Sequence, residues 1–147
     1  MMAYMEKHRV ALSFDDVLLE PKYSEVMSRK EIEIKQRLKN VRSEPFTLPI
    51  IASPMDTISE VEMARAASDC GGVAIIHRYN SIEEQAAMVM DVINTGHTVG
   101  AAIGVGDDFV KRAEALVRVG VSFLCIDVAH GHHAKVRYAL QVLKNTF

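Results

Sequence analysis

Apolar and polar residues alternate in blocks along most of the chain. From Pro49 onward, short runs rich in β-branched residues give way to stretches whose apolar positions recur at helical spacing. This is the pattern of βα units laid around a parallel sheet. Four runs predict strands: Pro49 to Ser53, Val73 to His77, Thr98 to Gly104 and Ser122 to Ala129. Their first residues lie 24, 25 and 24 positions apart, and so regular a period marks a repeated supersecondary unit.

Helix signals fall between the runs. Ser59-Glu60-Val61-Glu62 has the form of a capping box, and Gly71-Gly72 supplies residues suited to a left-handed helix end. Ser81-Ile82-Glu83-Glu84 repeats the box, and Ala86, Val89, Val92 and Ile93 mark one apolar face. A third helix is expected from Asp107 as N-cap, with Val110, Ala113, Leu116 and Val117 facing inward and Gly120 as its stop. A fourth runs from about His132 to the end, with Val136, Ala139, Leu140 and Leu143 inward.

Residues 1–48 follow another pattern. Val17 to Leu19 is apolar, Pro21 follows, and Ile32-Glu33-Ile34 alternates in the manner of an edge strand or hairpin. We read residues 1–48 as an N-terminal arm with short strands covering one end of the array, and residues 49–147 as four βα units. A closed (β/α)8 barrel takes about 250 residues. The chain therefore predicts an α/β fold that is half of such a TIM barrel, four parallel units preceded by the arm. A flat, doubly wound four-stranded domain is the structural alternative. An open sheet exposes two edges, so a complementary half-barrel chain or self-association is expected, and with it an oligomer.

Composition narrows the partners. With 49% hydrophobic and 24% charged residues, the 147-residue chain can bury a core. Its net charge is −2 and its Lys and Arg residues are scattered, which offers nucleic acid no electrostatic footprint. The segment Met1 to Ala11 lacks the apolar core of a signal peptide, and no later run is long enough to span a bilayer. No membrane partner is expected, and a cytoplasmic location is the default. The two cysteines, Cys70 and Cys125, are far apart and in no CxxC spacing, which points to buried thiols rather than a disulfide or zinc site.

In barrels of this type, chemistry sits just after the strands. The residues there are Ser53-Pro54-Met55-Asp56-Thr57, His77-Arg78, Gly104-Val105-Gly106 and Asp127-Val128-Ala129-His130. The GxG is a weak phosphate-cradle signal, read here as a turn that leaves room for a cofactor. His130, His132 and His133 lack an acidic or cysteine ligand at a recognisable spacing, so no metal is expected. Arg78 suits either a cofactor phosphate or a solvent-facing role.

These residues also carry a family likeness. Ser13-Phe14-Asp15-Asp16-Val17-Leu18-Leu19-Glu20-Pro21, followed by Ala52 to Thr57, resembles the opening of IMP dehydrogenases and GMP reductases. Gly71-Gly72, Ile76-His77-Arg78, Gly100 to Gly104 and Ile126 to His132 continue the match in family order from about Ala11 onward. The resemblance implies that Met55 contacts the purine base and Ser53 the sugar-phosphate of a bound purine mononucleotide. It implies that Asp127, Val128 and Ala129 line a nicotinamide cofactor site, with Gly104 nearby. A thioether packs on a flat ring, a hydroxyl bonds phosphate oxygen, and a strand-end carboxylate accepts from ribose hydroxyls. Capping of the fourth helix is the plainer role for Asp127.

Members of the family attack purine C2 with a cysteine held in a glycine-rich loop of the second barrel half, which is nucleophilic catalysis. Neither Cys70 nor Cys125 corresponds to it. The resemblance thus implies no catalytic residue in this sequence and a chain inert by itself. Ser53 to Thr57 and His130-Gly131-His132 favour the dehydrogenase, which oxidises IMP to XMP with NAD in guanine nucleotide biosynthesis. Asp127-Val128-Ala129 favours the reductase, which converts GMP to IMP with NADPH. Only Asn94 to His97 separates the second helix from the third strand, so the regulatory CBS insertion of many dehydrogenases is absent there. A non-catalytic half-barrel that pairs with itself and a scaffolding subunit that docks on an intact enzyme are the remaining readings.

Overall fold

Four short β-branched or small-residue runs pair side by side because each is followed by a helix long enough to carry the chain back. The computed structural model describes residues 11–37 and 46–147, so part of the expected arm, residues 1–10 and 38–45, lies outside the described residues. The strands are β1 (Ile51–Ala52), β2 (Val73–Ile76), β3 (Val99–Ile103) and β4 (Phe123–Ile126), and they form one parallel sheet in the order β1-β2-β3-β4. The helices α1 (Val61–Asp69), α2 (Ile82–Ile93), α3 (Phe109–Arg118) and α4 (Ala134–Thr146) alternate with them. Sequential neighbours in a parallel sheet joined by helices are the pattern of half a (β/α)8 barrel.

The register runs Ile51↔Val73, Ala74↔Val99, Gly100↔Phe123 and onward. Strand alternation then divides the sheet. Ala74, Ile76, Val99, Ala101 and Ile103 face the helices and join Ala64, Val89, Val92, Ala113 and Leu116 in one core, with Ala52, Leu124 and Ile126 packed against it. Leu116 is fully buried there, and burial of a side chain of that size contributes about 1.5–3 kcal/mol. Val73, Ile75, Gly100, Ala102, Phe123 and Cys125 fall on the opposite face, the one that becomes the interior of a barrel.

Three helix ends follow one recipe. Gly71 (φ +83°), Gly96 (φ +82°) and Gly120 (φ +89°) take the left-handed conformation that lets the chain turn back. Gly72 N–H donates to Ala67 and Gly71 N–H to Ser68, and Val121 and Gly120 repeat this with Leu116 and Val117. These are the paired bonds of the Schellman motif. The helix starts vary more. Ser81 and Glu84 form the expected reciprocal box at α2, with Ser81 Oγ accepting from Glu84 N–H at 3.1 Å and Glu84 accepting from Ser81 N–H at 2.9 Å.

Several expectations are corrected. Glu60, not Ser59, precedes α1, and the Ser59 hydroxyl is buried and donates to the Ser53 carbonyl. Asp108, not Asp107, precedes α3, and the inward face of that helix is Phe109, Arg112, Ala113 and Leu116, which leaves Val117 in solvent. On α4, Ala139 is buried but Leu140 is exposed. Cys70 is exposed and Cys125 half-buried. Ile32 to Ile34 forms no strand; the nearest pairing is a single antiparallel bridge between Gln36 and Phe46.

The chain divides into two compact units, Met1–Glu33 and Ile34–Phe147. Among its described residues, the first contains two single-turn 3-10 helices, Phe14–Asp16 and Arg29–Glu31. Ser13 and Asp16 cap the former reciprocally, with the Asp16 carboxylate accepting from the Ser13 N–H and hydroxyl at 2.8 Å each.

Candidate functional site

The β1–α1 loop is shaped by its own polar groups. Thr57 takes a positive φ of 59°, which folds the loop so that Ile58 and Ser59 N–H both donate to the Met55 carbonyl, at 3.2 and 2.9 Å. With Ser59 Oγ on the Ser53 carbonyl, the backbone of Ser53 to Ser59 is closed on itself. Two of its side chains point outward: Ser53 is exposed and Met55 is 52% exposed. A thioether so displayed is available to a flat apolar partner.

His77 closes the end of β2 against that loop. It is 2% exposed. Its Nδ1 accepts from Tyr79 N–H at 3.2 Å, so in the neutral ring the proton sits on Nε2. Nε2 faces Glu60 Oε1 at 3.3 Å and Asp56 Oδ1 at 3.8 Å. A single imidazole thus ties the β1–α1 loop to the strand beside it.

Arg78 reaches across the strand ends in the other direction. Its Nε lies 3.3 Å from Asp127 Oδ2, and its guanidinium stands 5.5 Å from the centre of the Tyr79 ring, a cation–π contact. Asp127 is held in place because its N–H donates to the Ile103 carbonyl at 2.9 Å, which carries the β3–β4 ladder one residue further. Between them lies Gly104, where an added Cβ would stand 3.4 Å from Arg78 Nη1. The space over Gly104 is therefore bordered by the guanidinium. Val128 is half-buried and Ala129 exposed in the loop that follows. Asp127 does not cap α4: His133 does, its Nδ1 accepting from Lys135 N–H at 3.1 Å.

Beneath these side chains is a buried polar pair that the sequence reading passed over. Gln85 of α2 is fully buried and donates through Nε2 to the carbonyls of Ile76 (3.3 Å) and Ala102 (2.8 Å). Its Oε1 accepts from Arg112 Nη1 at 3.0 Å. Arg112 also donates to the Asn80 carbonyl at 3.2 Å and to Asp108 Oδ2 at 3.3 Å. The available signal was a polar residue on an apolar stripe, since Gln85, Val89 and Val92 share one helix face, as do Phe109, Arg112, Ala113 and Leu116.

The cysteines stand apart from this chemistry. Burial and the neighbouring Asp127 charge push the Cys125 thiol above its ordinary pKa, and a thiol is a poor nucleophile until it ionises. Cys70 lies at the C-terminal end of α1, just before β2 and so at the end of the strands opposite the site. Among the described residues, no group of three or more His, Cys, Asp or Glu is arranged to hold a metal, and no helix is long and apolar enough to cross a membrane. A groove of about 590 Å³ runs along α4 past His132, His133, Arg137, Leu140 and Lys144.

Comparison with known proteins identifies a family. The family model for the IMP dehydrogenase / GMP reductase domain matches residues 11–147. Inosine-5'-monophosphate dehydrogenase from Cryptosporidium parvum is 32% identical, aligned over 91% of this chain and 43% of its own length. The same enzyme from Nitrosopumilus maritimus is 42% identical over 58% of this chain and 17% of its own. GMP reductase from Salmonella arizonae is 35% identical over 82% of this chain and 36% of its own. The chain spans less than half the length of these curated relatives. The family match runs through the whole parallel βα array: this chain belongs to the IMP dehydrogenase / GMP reductase family.

Proposed function

We propose that this chain forms the half-barrel that receives a purine mononucleotide and a nicotinamide cofactor in a purine-nucleotide oxidoreductase, working in the dehydrogenase direction on IMP with NAD. The observation that carries this reading is the gathering of the Ser53–Met55 loop and the Arg78–Asp127 pair at one end of a parallel sheet. Ser53 would bond the sugar-phosphate and Met55 would pack on the base; both are displayed to solvent on a loop whose backbone is already fixed.

The residues expected to hold the cofactor fit a ligand that is both hydroxylated and anionic. Asp127 spends one carboxylate oxygen on Arg78, which leaves the other to accept from a ribose hydroxyl, while Arg78 offers further donors to phosphate. Val128 and Ala129 supply an apolar wall, and the absence of a side chain at Gly104 admits the guanidinium. A bound nicotinamide ring would supply the hydride acceptor. The chain's own groups bind and orient; burial and the Asp127 charge push the Cys125 thiol above its ordinary pKa, which makes it a poor nucleophile. A complementary half-barrel chain, or another copy of this one, completes the sheet along β1 and β4. Turnover needs the remaining units of the barrel and the nucleophile they would carry.

The reductase reaction, GMP to IMP with NADPH, is the second reading. It is favoured by the segment Asp127-Val128-Ala129 and by the reductase relatives. Calorimetric titration of the purified chain with IMP, GMP, NAD and NADPH tests both. Binding of IMP that weakens in Met55→Ala, and of NAD that weakens in Asp127→Ala, is the expected result. Preference for GMP and NADPH moves the assignment to the reductase, and failure to bind any of the four overturns the proposal. Oxidation of IMP by residues 1–147 alone would refute the purely binding role assigned to them.

A further inference from the structure

We infer that Gln85 and Arg112 are positioning residues, a buried pair that sets the spread of the β2 and β3 ends and thereby the place of the Arg78–Asp127 ion pair over Gly104. The ladder between β2 and β3 ends at Ile76↔Ala101, whereas β3 continues beside β4 through Ile103↔Ile126. Past Ile76 the two strands part. At that fork the Gln85 carboxamide nitrogen donates to a carbonyl on each side, Ile76 at 3.3 Å and Ala102 at 2.8 Å. One amide thus spans the gap whose two lips lead directly into His77-Arg78 and Ile103-Gly104.

Arg112 fixes that amide. A guanidinium only donates, so its 3.0 Å bond to Gln85 assigns the accepting atom as Oε1 and leaves Nε2 for the strand carbonyls. Its remaining donors reach the Asn80 and Ser81 carbonyls in the β2–α2 loop and the Asp108 carboxylate before α3. The pair therefore joins the end of β2, the end of β3, the loop after β2 and the start of α3. A buried guanidinium and amide gain little over apolar side chains of the same volume, so simple core stability does not account for them. Every partner they take is a polar group at the site end of the sheet, which is where a fixed geometry matters.

Hydrogen exchange on the purified chain tests this without reference to any ligand. Gln85→Glu keeps the bond to Arg112 but cannot donate to Ile76 and Ala102, and Gln85→Leu and Arg112→Met remove the pair from either side. The expected result is exchange about tenfold faster at the His77, Tyr79 and Asp127 amides, as the loss of one hydrogen bond predicts. The amides of α1 should change less than about twofold. Arg112→Lys should restore part of the protection. Where an apolar variant does not fold, Gln85→Glu decides. Uniform acceleration, or unchanged strand-end amides in Gln85→Glu, overturns the inference.

A second arm rests on the function proposed above. NAD affinity should fall in every variant whose strand ends loosen, with IMP affinity at the β1–α1 loop less affected. Unaltered NAD affinity despite loosened ends overturns the positioning role. If the unmodified chain binds neither probe, the functional reading falls and the exchange result alone decides the role of the pair.

Discussion

Gly100 makes the packing of the sheet's interior face testable by the sign of a single free energy. It pairs with Phe123 across β3 and β4, and the Phe123 ring lies over it. A Cβ added at Gly100 would stand 2.4 Å from Phe123 Cε2 and 2.5 Å from Cζ. In a strand interior without such a neighbour, Gly→Ala is favourable by about 0.5–1 kcal/mol, because alanine has less backbone entropy to lose. Here the ring must move, and forcing a methyl into occupied space costs about 1–3 kcal/mol. Gly100→Ala is therefore expected to destabilise the chain on balance, by roughly 1–2 kcal/mol once the entropy gain is offset. For a chain of this size each kcal/mol lowers the melting temperature by about 2–4 °C.

The control is the same substitution in a Phe123→Leu background, where the far edge of the ring is gone. There Gly100→Ala should be neutral or stabilising, and the difference between backgrounds is the coupling energy of a double-mutant cycle. Urea denaturation followed by circular dichroism measures all four proteins. Equal effects in both backgrounds, or a stabilised Gly100→Ala single variant, would falsify the argument that the ring occupies the space above Gly100. Phe123 shares its strand face with Cys125, two residues before Asp127, so a displaced ring should also disturb the site end of β4.

Other groups give sharper chemical readouts. The Glu84 carboxyl is held below its usual pKa, first by the Ser81 N–H and then by the Ser81 hydroxyl. Its folded pKa is depressed, so its stabilising contribution is complete above the ordinary glutamate range and is lost as pH falls through the folded value. Unmodified chain should accordingly lose more urea resistance on acidification than Glu84→Gln, and parallel pH curves would count against the capping box. Cys125, raised by burial and then by the Asp127 charge, should react with iodoacetamide more slowly than exposed Cys70 at neutral pH. Mass spectrometry of the labelled chain reads this, and Asp127→Asn should speed Cys125; faster labelling of Cys125 than of Cys70 would contradict the placement. Ser59→Ala should cost about 1 kcal/mol in thermal unfolding by removing the donor to the Ser53 carbonyl, and an unchanged melting temperature would show that this bond contributes nothing net.

What could be read from sequence divides by range. The four strands and the Ser81–Glu84 box depend on residues a few positions apart, and each is present, the strands beginning 22, 26 and 24 residues apart. The Ser59–Glu62 box does not form: α1 begins one residue later, and the Ser59 hydroxyl is turned to the Ser53 carbonyl in a loop bent by the positive φ at Thr57. That contact belongs to the folded turn and leaves no periodic trace. The same limit hid the Arg78–Asp127 pair, whose members stand 49 positions apart. Arg112 and Gln85, 27 apart, were likewise legible only as polar interruptions of apolar stripes. Of the positions singled out beforehand, Asp127 and Gly104 meet through Arg78, whereas Ser53 and Met55 stand on a separate loop two strands away from β3.

β1 contributes two residues to the sheet, Ile51 and Ala52, while its neighbours contribute four or five and are buried throughout. A cooperative structure opens first where the fewest bonds must break, so this margin should detach more often than the rest of the molecule unfolds. The loop bearing Ser53 and Met55 hangs from that margin. A ligand grasped there would bind the attached state alone, and its binding energy would appear as added resistance to local opening by mass action. Occupancy and the integrity of the sheet's outer border are then two readings of one equilibrium. Protease sensitivity near residue 50 becomes a gauge of whether the loop is filled.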